Sequence, residues 1–521
     1  MHAPPLSDLD SLEPDLALCA GSIDGYVAQV YPDLLFVEYS CSKSELTARG
    51  NAGRLISDAL SRAADPEAVS GTIFNEVPQW AKDFAAVEAH EREHVRRIAS
   101  TTHGILTHAL RSQLLSKTRD LVVKQYSERK ALNYPLLSEA SVEDRFAINS
   151  TRTLQQALET YVPTDSLEHA ERLIAGWTEL NCDFFHEELP NKSNRSSLLV
   201  DDDGTQSWFT TMHLLECLGL IEEGNRVLGT GGSVDQVTQK LRNPLYSLAA
   251  RIWFSHCPGS SASKNFRPIR SPSRNEIALS MSRNFPIDFL IAADLALWLP
   301  FSPRGFSSPR GELTWLDINP PYRFARIALA CKKLGFAEVI WPETDLDEFV
   351  VARQEAICAH LSWETPTELA RKWHEHLASK SNEWFIDGAI GGFRYKTMMQ
   401  LLRLRLDHPG KVLLNGIDFQ KMGVKRNAGW ITNESKNELL PMYLGDEEDR
   451  ESTQFLFDLY CLFPMLLGTK KERKNFVSRF PVEEIDRMLD SFNLYGEGKD
   501  GWPTNEFLMS ARNYVNRVRN Q

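Results

Sequence analysis

Two histidines and a glutamate within five residues carry the clearest chemical signal in this sequence. His90, Glu91 and His94 form the pattern His-Glu-x-x-His. On a helix, residues four apart share a face, so both imidazoles point the same way and offer two corners of a tetrahedral zinc site, with bonds of about 2 Å. Glu91 would lie beside the open position, where it can take a proton from a water whose pKa zinc lowers to about 7. The pattern therefore predicts a zinc (Zn2+) centre with Glu91 as general base.

The residues around the motif favour this interpretation over a chance match. At about 100° per residue, the motif shares its sector of the helix with apolar side chains, namely Phe84, Val87, Val95 and Ile98. The charged residues outside that sector are Lys82, Arg92, Glu93 and Arg96, and Arg97 lies at its edge beside His90. A solvated charged helix would instead group the histidines with the arginines. We therefore expect a helix over about 81–103 that buries the motif.

A catalytic zinc site needs a third protein ligand. The metzincin pattern would place a glycine and a histidine where Arg97 and Ser100 stand, so the ligand must come from another segment. Glu216 projects among the apolar residues of a helix predicted over about 207–223, and a buried carboxylate is costly unless a positive group meets it. Glu216 is therefore the candidate ligand. The alternatives are a buried ion pair with an arginine and a neutral carboxyl with a raised pKa. The next candidates on this helix are Glu222 and Glu223.

Both segments resemble zinc proteins of the gluzincin type. Residues 90–94, followed by 98–104, are similar to bacterial zincin-like proteins in which His-Glu-x-x-His runs into a Ser/Thr-rich turn closed by glycine. Residues 213–219 are similar to the later helix of those proteins, although Cys217 stands where a small residue is expected. The resemblance covers about residues 80–225. It implies a gluzincin-like metallopeptidase arrangement whose metal ligands are His90, His94 and Glu216, with Glu91 as the base.

The other histidines have ordinary interpretations. His213, three residues before Glu216, either supports that glutamate or makes a buried hydrogen bond of its own. His103 and His108 follow the motif around Gly104, which is expected to end or bend the helix, so neither should reach the metal. The group that stabilises the oxyanion stays open among His213, His256, Tyr246 and Tyr395.

Most of the chain is predicted to be helical, with one small sheet near the N-terminus. Residues 26–30 and 34–39 are β-branched and aromatic runs separated by Pro32 and Asp33, which predicts a hairpin. From about Asp58 onward apolar residues recur at three-and-four spacing, apart from a strand candidate at 337–341. The fold class is therefore expected to be α+β and predominantly α-helical, with the sheet against the motif helix.

The chain is expected to contain two units, because 521 residues exceed one ordinary core. Loop-like composition occurs at 191–206, 257–275 and 300–311, and the last of these is the best boundary. This predicts a zincin-like metal-binding domain over residues 1–300. A helical C-terminal domain over 312–521, with no chemistry visible in its residues, would follow.

Composition and charge exclude several other classes of protein. The chain is 42% apolar and 25% charged, as globular proteins are, and its net charge of −12 argues against a surface built for nucleic acid or anionic membranes. Its eight cysteines form no Cys-x-x-Cys pair. The N-terminus lacks the features of a secretion signal, and no window approaches 18 uninterrupted apolar residues. We therefore expect a cytoplasmic protein without a specific nucleic-acid or membrane partner.

Three functions fit the motif. The first is a zinc-dependent hydrolase, a peptidase or amidase acting on a protein or peptide, in which Glu91 activates water and returns the proton to the leaving nitrogen. The second is a di-iron carboxylate protein, which needs two Glu-x-x-His motifs, whereas the sequence contains only residues 91–94. The third is a zincin-like binding or regulatory module, such as an effector in a bacterial defence or toxin system. In each case the C-terminal half is free to contact a regulatory protein partner.

Overall fold

The computed structural model describes the helical ranges of the chain and five separate strand segments. The main ranges are 77–128, 209–230, 239–256 without residue 242, 287–306, 315–336, 345–379, 388–413 and 470–480, with shorter pieces at 140–145, 482–483, 485–488 and 512–517 and isolated positions between them. The strand segments are 20–23, 26–31, 36–39, 429–433 and 439–442. The predicted strand at 337–341 and the predicted loops at 191–206 and 257–275 lie outside the described residues.

The described part of the chain is predominantly helical, as the sequence predicts. The helices are α1 (Gln79–Ala99), α2 (Thr102–Ser127), α3 (Thr211–Gly229), α4 (Pro244–His256), α5 (Ile287–Ala296), α6 (Trp315–Ile318), α7 (Pro320–Leu334), α8 (Leu346–Leu361), α9 (Pro366–Ser379), α10 (Gly388–Asp407), α11 (Pro409–Leu413) and α12 (Lys470–Arg479). The strands are β1 (Ala20–Ile23), β2 (Tyr26–Tyr31), β3 (Phe36–Tyr39), β4 (Phe301–Ser302), β5 (Gly305–Phe306), β6 (Gly429–Asn433) and β7 (Leu439–Met442). Among these described helices, none is both long and apolar enough to cross a membrane.

A five-stranded sheet combines strands from both ends of the chain, in the order β1-β2-β3-β6-β7. The antiparallel pairing of β2 with β3 sets Ala28 opposite Tyr39 and confirms the predicted hairpin. β3 then pairs in parallel with β6, and β6 pairs antiparallel with β7. Because β1 and β2 also contact α1, the sheet lies beside the helix that carries the motif.

Part of the predicted boundary loop at 300–311 is a short buried hairpin. Strands β4 and β5 pair antiparallel, and the Phe301 and Phe306 side chains are buried with ring centroids 5.0 Å apart. Trp373 of α9 stacks near Phe301 and donates a 2.7 Å hydrogen bond to its carbonyl oxygen. Aromatic burial therefore gives residues 301–306 regular structure despite their loop-like composition. The division into domains at 1–300 and 312–521 stays a prediction.

The core next to the motif helix is built from aromatic side chains on several helices. The rings of Trp253, Phe289 and Phe324 lie 5.7–6.3 Å apart, and Phe209 adds a further contact to Phe324 just before α3 begins. Helix α7 is well delimited, since the Asn319 side chain caps its first turn and Gly335, with φ 71°, ends it. Helices α4, α5 and α7 all pack against α3, which in turn packs along α1.

Candidate metal centre

Helix α1 carries three of the four predicted site residues on a buried face. The side chains of His90, Glu91 and His94 have an exposed fraction of 0%. Phe84 and Val87 are buried with them, as the helical period of the apolar residues predicts. The motif is thus part of the protein interior, where polar side chains need partners.

The helix predicted over 81–103 is two helices in the structure. α1 ends at Ala99, the chain turns, and α2 begins at Thr102. Gly104 lies in the first turn of α2, and a Cβ atom there would clash with the Ile98 carbonyl oxygen. Gly104 therefore allows α2 to begin tightly against the end of α1, which corrects the expectation that it ends or bends the motif helix.

Helix α3 packs along α1 and brings the fourth predicted residue to the motif. Glu216 has an exposed fraction of 0%. The close approach of the two helices depends on Gly219, because a Cβ atom there would lie 2.7–2.9 Å from three atoms of the His90 ring. Cys217, where a small residue was expected, is buried in the core cluster. The small residue that the packing requires is therefore Gly219.

The two histidines and Glu216 converge at the spacing of metal ligands. His90 Nε2 lies 3.2 Å from Glu216 Oε2, and His94 Nε2 lies 3.6 Å from Glu216 Oε1. Two ligands bound at about 2.0–2.1 Å in a tetrahedron are about 3.3–3.4 Å apart, which is close to both distances, although these involve different oxygens of Glu216. One ligand atom from each of the three residues fits within a span of 4.8 Å. This buried group could hold a metal ion.

The second ring nitrogen of His90 is held by a carboxylate. His90 Nδ1 lies 3.1 Å from Glu223 Oε2, and Lys240 Nζ donates to the two oxygens of Glu223 at 2.6 and 2.8 Å. An Nδ1–H donated to Glu223 leaves Nε2 as a lone pair that faces Glu216. Metal-binding histidines are usually oriented in this way, by a carboxylate or carbonyl on the nitrogen that does not bind the ion.

The protonation of the two histidines differs sharply. Burial by itself would lower the pKa of His90, but its hydrogen bonds with Glu216 and Glu223 outweigh burial and raise the pKa to about 10. Burial lowers the pKa of His94 to about 3, so this imidazole is neutral and offers a lone pair. Burial would raise the pKa of Glu223, yet His90 and Lys240 lower it. Either a proton or a metal ion can satisfy His90 Nε2 between these carboxylates, but not both at once.

Glu91 lies beside the ligand group without being part of it. Its carboxylate is fully buried on α1 next to His90, and its charge contributes to the raised pKa of that histidine. The group of possible ligand atoms contains His90, His94 and Glu216 but not Glu91. A general base in a metal-dependent hydrolase must lie near the ion without binding it, and Glu91 meets both conditions with respect to this group.

Tyr246 is the oxyanion candidate that the structure brings near the site. Its ring on α4 meets the His90 ring edge to face, with centroids 6.2 Å apart. His213 Nδ1 accepts a 3.2 Å hydrogen bond from the backbone N–H of Thr210. Burial lowers the pKa of His213 to about 4 against the charge of Glu216, so both interpretations of this histidine made from the sequence stay open. The side chains of His256 and Tyr395 lie outside the described residues.

Sequence reasoning missed the roles of Glu223, Lys240 and Gly219. Glu223 follows Glu216 by seven residues, or about two helical turns, so both lie on one face of α3, and this spacing was a usable signal. The side chain of Lys240 comes from the segment before α4, and the sequence gives no sign of where it reaches. The role of Gly219 could be recognised only from the close approach of α1 and α3 in the structure.

Comparisons of this chain with protein-family models, with curated proteins and with solved structures find no match. The resemblance to gluzincins stays a prediction, and the site is interpreted from its own geometry.

Proposed function

We propose that this protein is a zinc-dependent hydrolase of the peptidase or amidase class. The observation that carries the proposal is the convergence of His90 and His94 with Glu216, which lies 126 residues after His90 in the chain, at ligand spacing in the interior. Two imidazoles and a carboxylate are a donor set that zinc prefers, and three protein ligands leave one position open for chemistry. The proposed metal ligands are His90, His94 and Glu216.

The proposed reaction is the addition of water to a carbonyl and cleavage of its C–N bond. A bound zinc ion would polarise the carbonyl and make water acidic enough to be deprotonated near neutral pH. Glu91 takes the proton from the water as the new C–O bond forms. The same carboxyl then gives that proton to the leaving nitrogen as the C–N bond breaks. Glu223 keeps the His90 ring in the orientation and tautomer that leave Nε2 free.

Metal analysis tests the ligand set. The purified protein should carry about one zinc per chain, and His90→Ala should lose it, because two remaining ligands bind weakly. Glu91→Gln should keep the metal, since Glu91 does not coordinate. Iron present in pairs, or no metal after purification without chelators, would contradict the proposal.

Activity is tested with a peptide library and a matched pair of variants. A proteome-derived peptide mixture is incubated with the protein, and new termini are read by mass spectrometry. Glu91→Gln should lower the rate of cleavage about 10²–10⁴-fold, the usual contribution of a general base. Glu88→Gln is the control, because Glu88 lies on the same helix but pairs with the exposed Arg92. Equal rates for wild type and Glu91→Gln would refute the catalytic role.

A second candidate function follows from the complete burial of the site. His90, Glu91, His94 and Glu216 are all fully enclosed, so a peptide bond can reach the metal only if the protein opens. A scaffold that uses the ion for stability, as a binding or regulatory module, needs no opening. Zinc retained at full occupancy, with no cleavage of any peptide and wild-type behaviour of Glu91→Gln in every assay, would favour this second function.

A further inference from the structure

A buried network of charged side chains joins the motif helix to helices far away in the sequence. Arg97 donates through Nε to Glu93 at 2.6 Å and through Nη1 to Asp294 of α5 at 2.6 Å. Arg405 of α10 donates a 2.7 Å hydrogen bond from each of its two terminal nitrogens to the same Asp294. All four side chains are nearly or fully buried. Burial would raise the pKa of Asp294, but Arg405 and Arg97 lower it to about 2, so the carboxylate stays charged.

Three sets of hydrogen bonds connect α1 and the residue after it to helices α5, α10 and α11. Arg405 donates to Ser100 Oγ through Nε at 3.0 Å and Nη2 at 2.9 Å, directly after the last residue of α1. Arg97 Nη2 donates at 2.7 Å to the carbonyl oxygen of Leu413, the last residue of α11. The third set involves Asp294, which Arg97 and Arg405 share. Every guanidinium nitrogen of both arginines therefore has an acceptor in this network.

The network fixes the turn of α1 that carries His94. At about 100° per residue, Glu93, Arg97 and Ser100 fall in a sector adjacent to the one that holds the two histidines. Helix α1 is thus held on one side by α3, through the ligand group, and on the neighbouring side by α5, α10 and α11. A small rotation of α1 about its axis would break both sets of contacts, because His94 lies within one turn of Glu93 and Arg97.

We propose that Arg405 is a positioning residue for the metal centre, and that the network of Glu93, Arg97, Asp294 and Arg405 couples helix α10 to metal binding. The inference rests on the proposed metal centre and adds a means of regulating it. Anything that displaces α10, such as a protein bound to the C-terminal half, would break the hydrogen bonds of Arg405 with Ser100 and Asp294. The turn of α1 that carries His94 would then be free to move. Coupling of this kind is reciprocal, so metal binding must also stabilise α10.

Two variants weaken the network without removing its charge. Arg405→Lys keeps the positive charge but loses the forked contact with Asp294, and Ser100→Ala removes one acceptor of Arg405. The matched control is Arg323→Lys. Arg323 is a comparably buried arginine that donates to the carbonyl oxygens of Ala296, Trp298 and Asp317. It contacts none of the four charged side chains directly and is linked to them only through Trp298, whose indole N–H donates to Asp294 at 3.3 Å.

The readouts are zinc affinity and hydrogen exchange in α10. Zinc affinity is measured at a temperature where every variant is folded, by competition with a chromophoric chelator, and the absorption spectrum of the cobalt-substituted protein reports ligand geometry. Arg405→Lys and Ser100→Ala should raise the zinc Kd about tenfold and change the cobalt spectrum. Arg323→Lys should melt earlier but keep the wild-type Kd and spectrum. Added zinc should slow exchange across the α10 amides of the wild type, and less so in Arg405→Lys.

The experiments distinguish failure of the proposed metal centre from failure of the proposed coupling to α10. A wild-type protein that binds no zinc would overturn both the metal centre and this inference. Wild-type Kd, cobalt spectrum and zinc-dependent α10 protection in both network variants would overturn this inference alone. An equal loss of zinc affinity in Arg323→Lys would also overturn it, because the effect would then reflect general destabilisation. If Arg405→Lys does not fold, Ser100→Ala decides between these outcomes.

Discussion

Gly219 sets the distance between the two helices that build the site, and replacing it with alanine should displace His90. The new Cβ atom would lie 2.7 Å from His90 Nε2, 2.8 Å from Cδ2 and 2.9 Å from Cε1. Carbon atoms in contact are ordinarily about 3.5–4.0 Å apart, so the ring or the helix must move by at least about 0.5 Å. The affected nitrogen is the one that faces Glu216. A geometric change of this size exceeds the roughly 0.2 Å tolerance of a metal–ligand bond.

The expected effect on folding is small and the expected effect on metal binding is large. Overpacking a core costs about 1–3 kcal/mol, while alanine gains about 1 kcal/mol over glycine inside a helix. The metal-free Gly219→Ala variant should therefore lose at most about 2 kcal/mol of stability. Loss of one of three ligands should weaken zinc binding by at least about 100-fold, since changes in groups that only support a ligand already cost 10–100-fold.

The assay compares two alanine variants by chelator competition and thermal melting. Gly335→Ala is the control, because Gly335 has φ 71° and a Cβ atom there meets nothing within 4 Å. Its left-handed backbone makes alanine cost about 1–2 kcal/mol, far from the site. Both variants should melt somewhat earlier, but only Gly219→Ala should lose zinc. Wild-type zinc affinity in Gly219→Ala would refute the proposed position of His90 as a ligand.

Four further outcomes follow from the same geometry. Glu216→Ala should lose zinc by orders of magnitude, whereas an early-melting variant that keeps its zinc would mark Glu216 as an ion-pair partner only. Glu223→Gln should weaken zinc binding about 10–100-fold, as measured by competition, and unchanged affinity would contradict its role on His90 Nδ1. Chelation should lower Tm, because a ligand at 1,000 times its Kd adds about 4 kcal/mol, and an unchanged Tm would exclude a bound ion. Burial raises the pKa of Asp288 to about 7 although Arg353 lowers it, so the folded state binds the proton more tightly than the unfolded chain and stability falls as pH rises towards and through 7. Asp288→Asn should therefore raise Tm more at pH 8 than at pH 5, and an equal shift at both pH values would refute this.

The local features of the site were predictable because they depend on residues close together in the chain. The spacing of His90 and His94 and the apolar period around them predict that both histidines lie in the protein interior, as they do. Glu216 was predictable because an acidic residue on an almost wholly apolar helix requires a buried positive partner. The hairpin of β2 and β3 follows from two β-type runs around Pro32 and Asp33.

Features that depend on distant partners were not predictable from one sequence. Glu93, Arg96 and Arg97 look like solvated charges on a helical wheel, yet all three are buried. Arg97 is stable there because Asp294 meets it, and Asp294 also needs Arg405. Burial of a charge is decided by counter-charges that lie hundreds of residues away, and a periodicity argument contains no information about them. The parallel pairing of β3 with β6 was also not predictable, because the two strands lie far apart in the sequence.

The charges gathered around His90 are those that a divalent cation in the group of His90, His94 and Glu216 would offset. Among the described side chains, three buried carboxylates lie at or beside the ligand group, those of Glu91, Glu216 and Glu223, and Lys240 supplies one positive charge. With a proton on His90, these three carboxylates, Lys240 and His90 together carry a net charge of −1. A dication with neutral His90 and His94 would offset more of the negative charge of these carboxylates than a proton does, and in a low-dielectric interior unbalanced charge is costly. We propose zinc for this site because two of the three donors are nitrogens, whereas magnesium and calcium prefer oxygen.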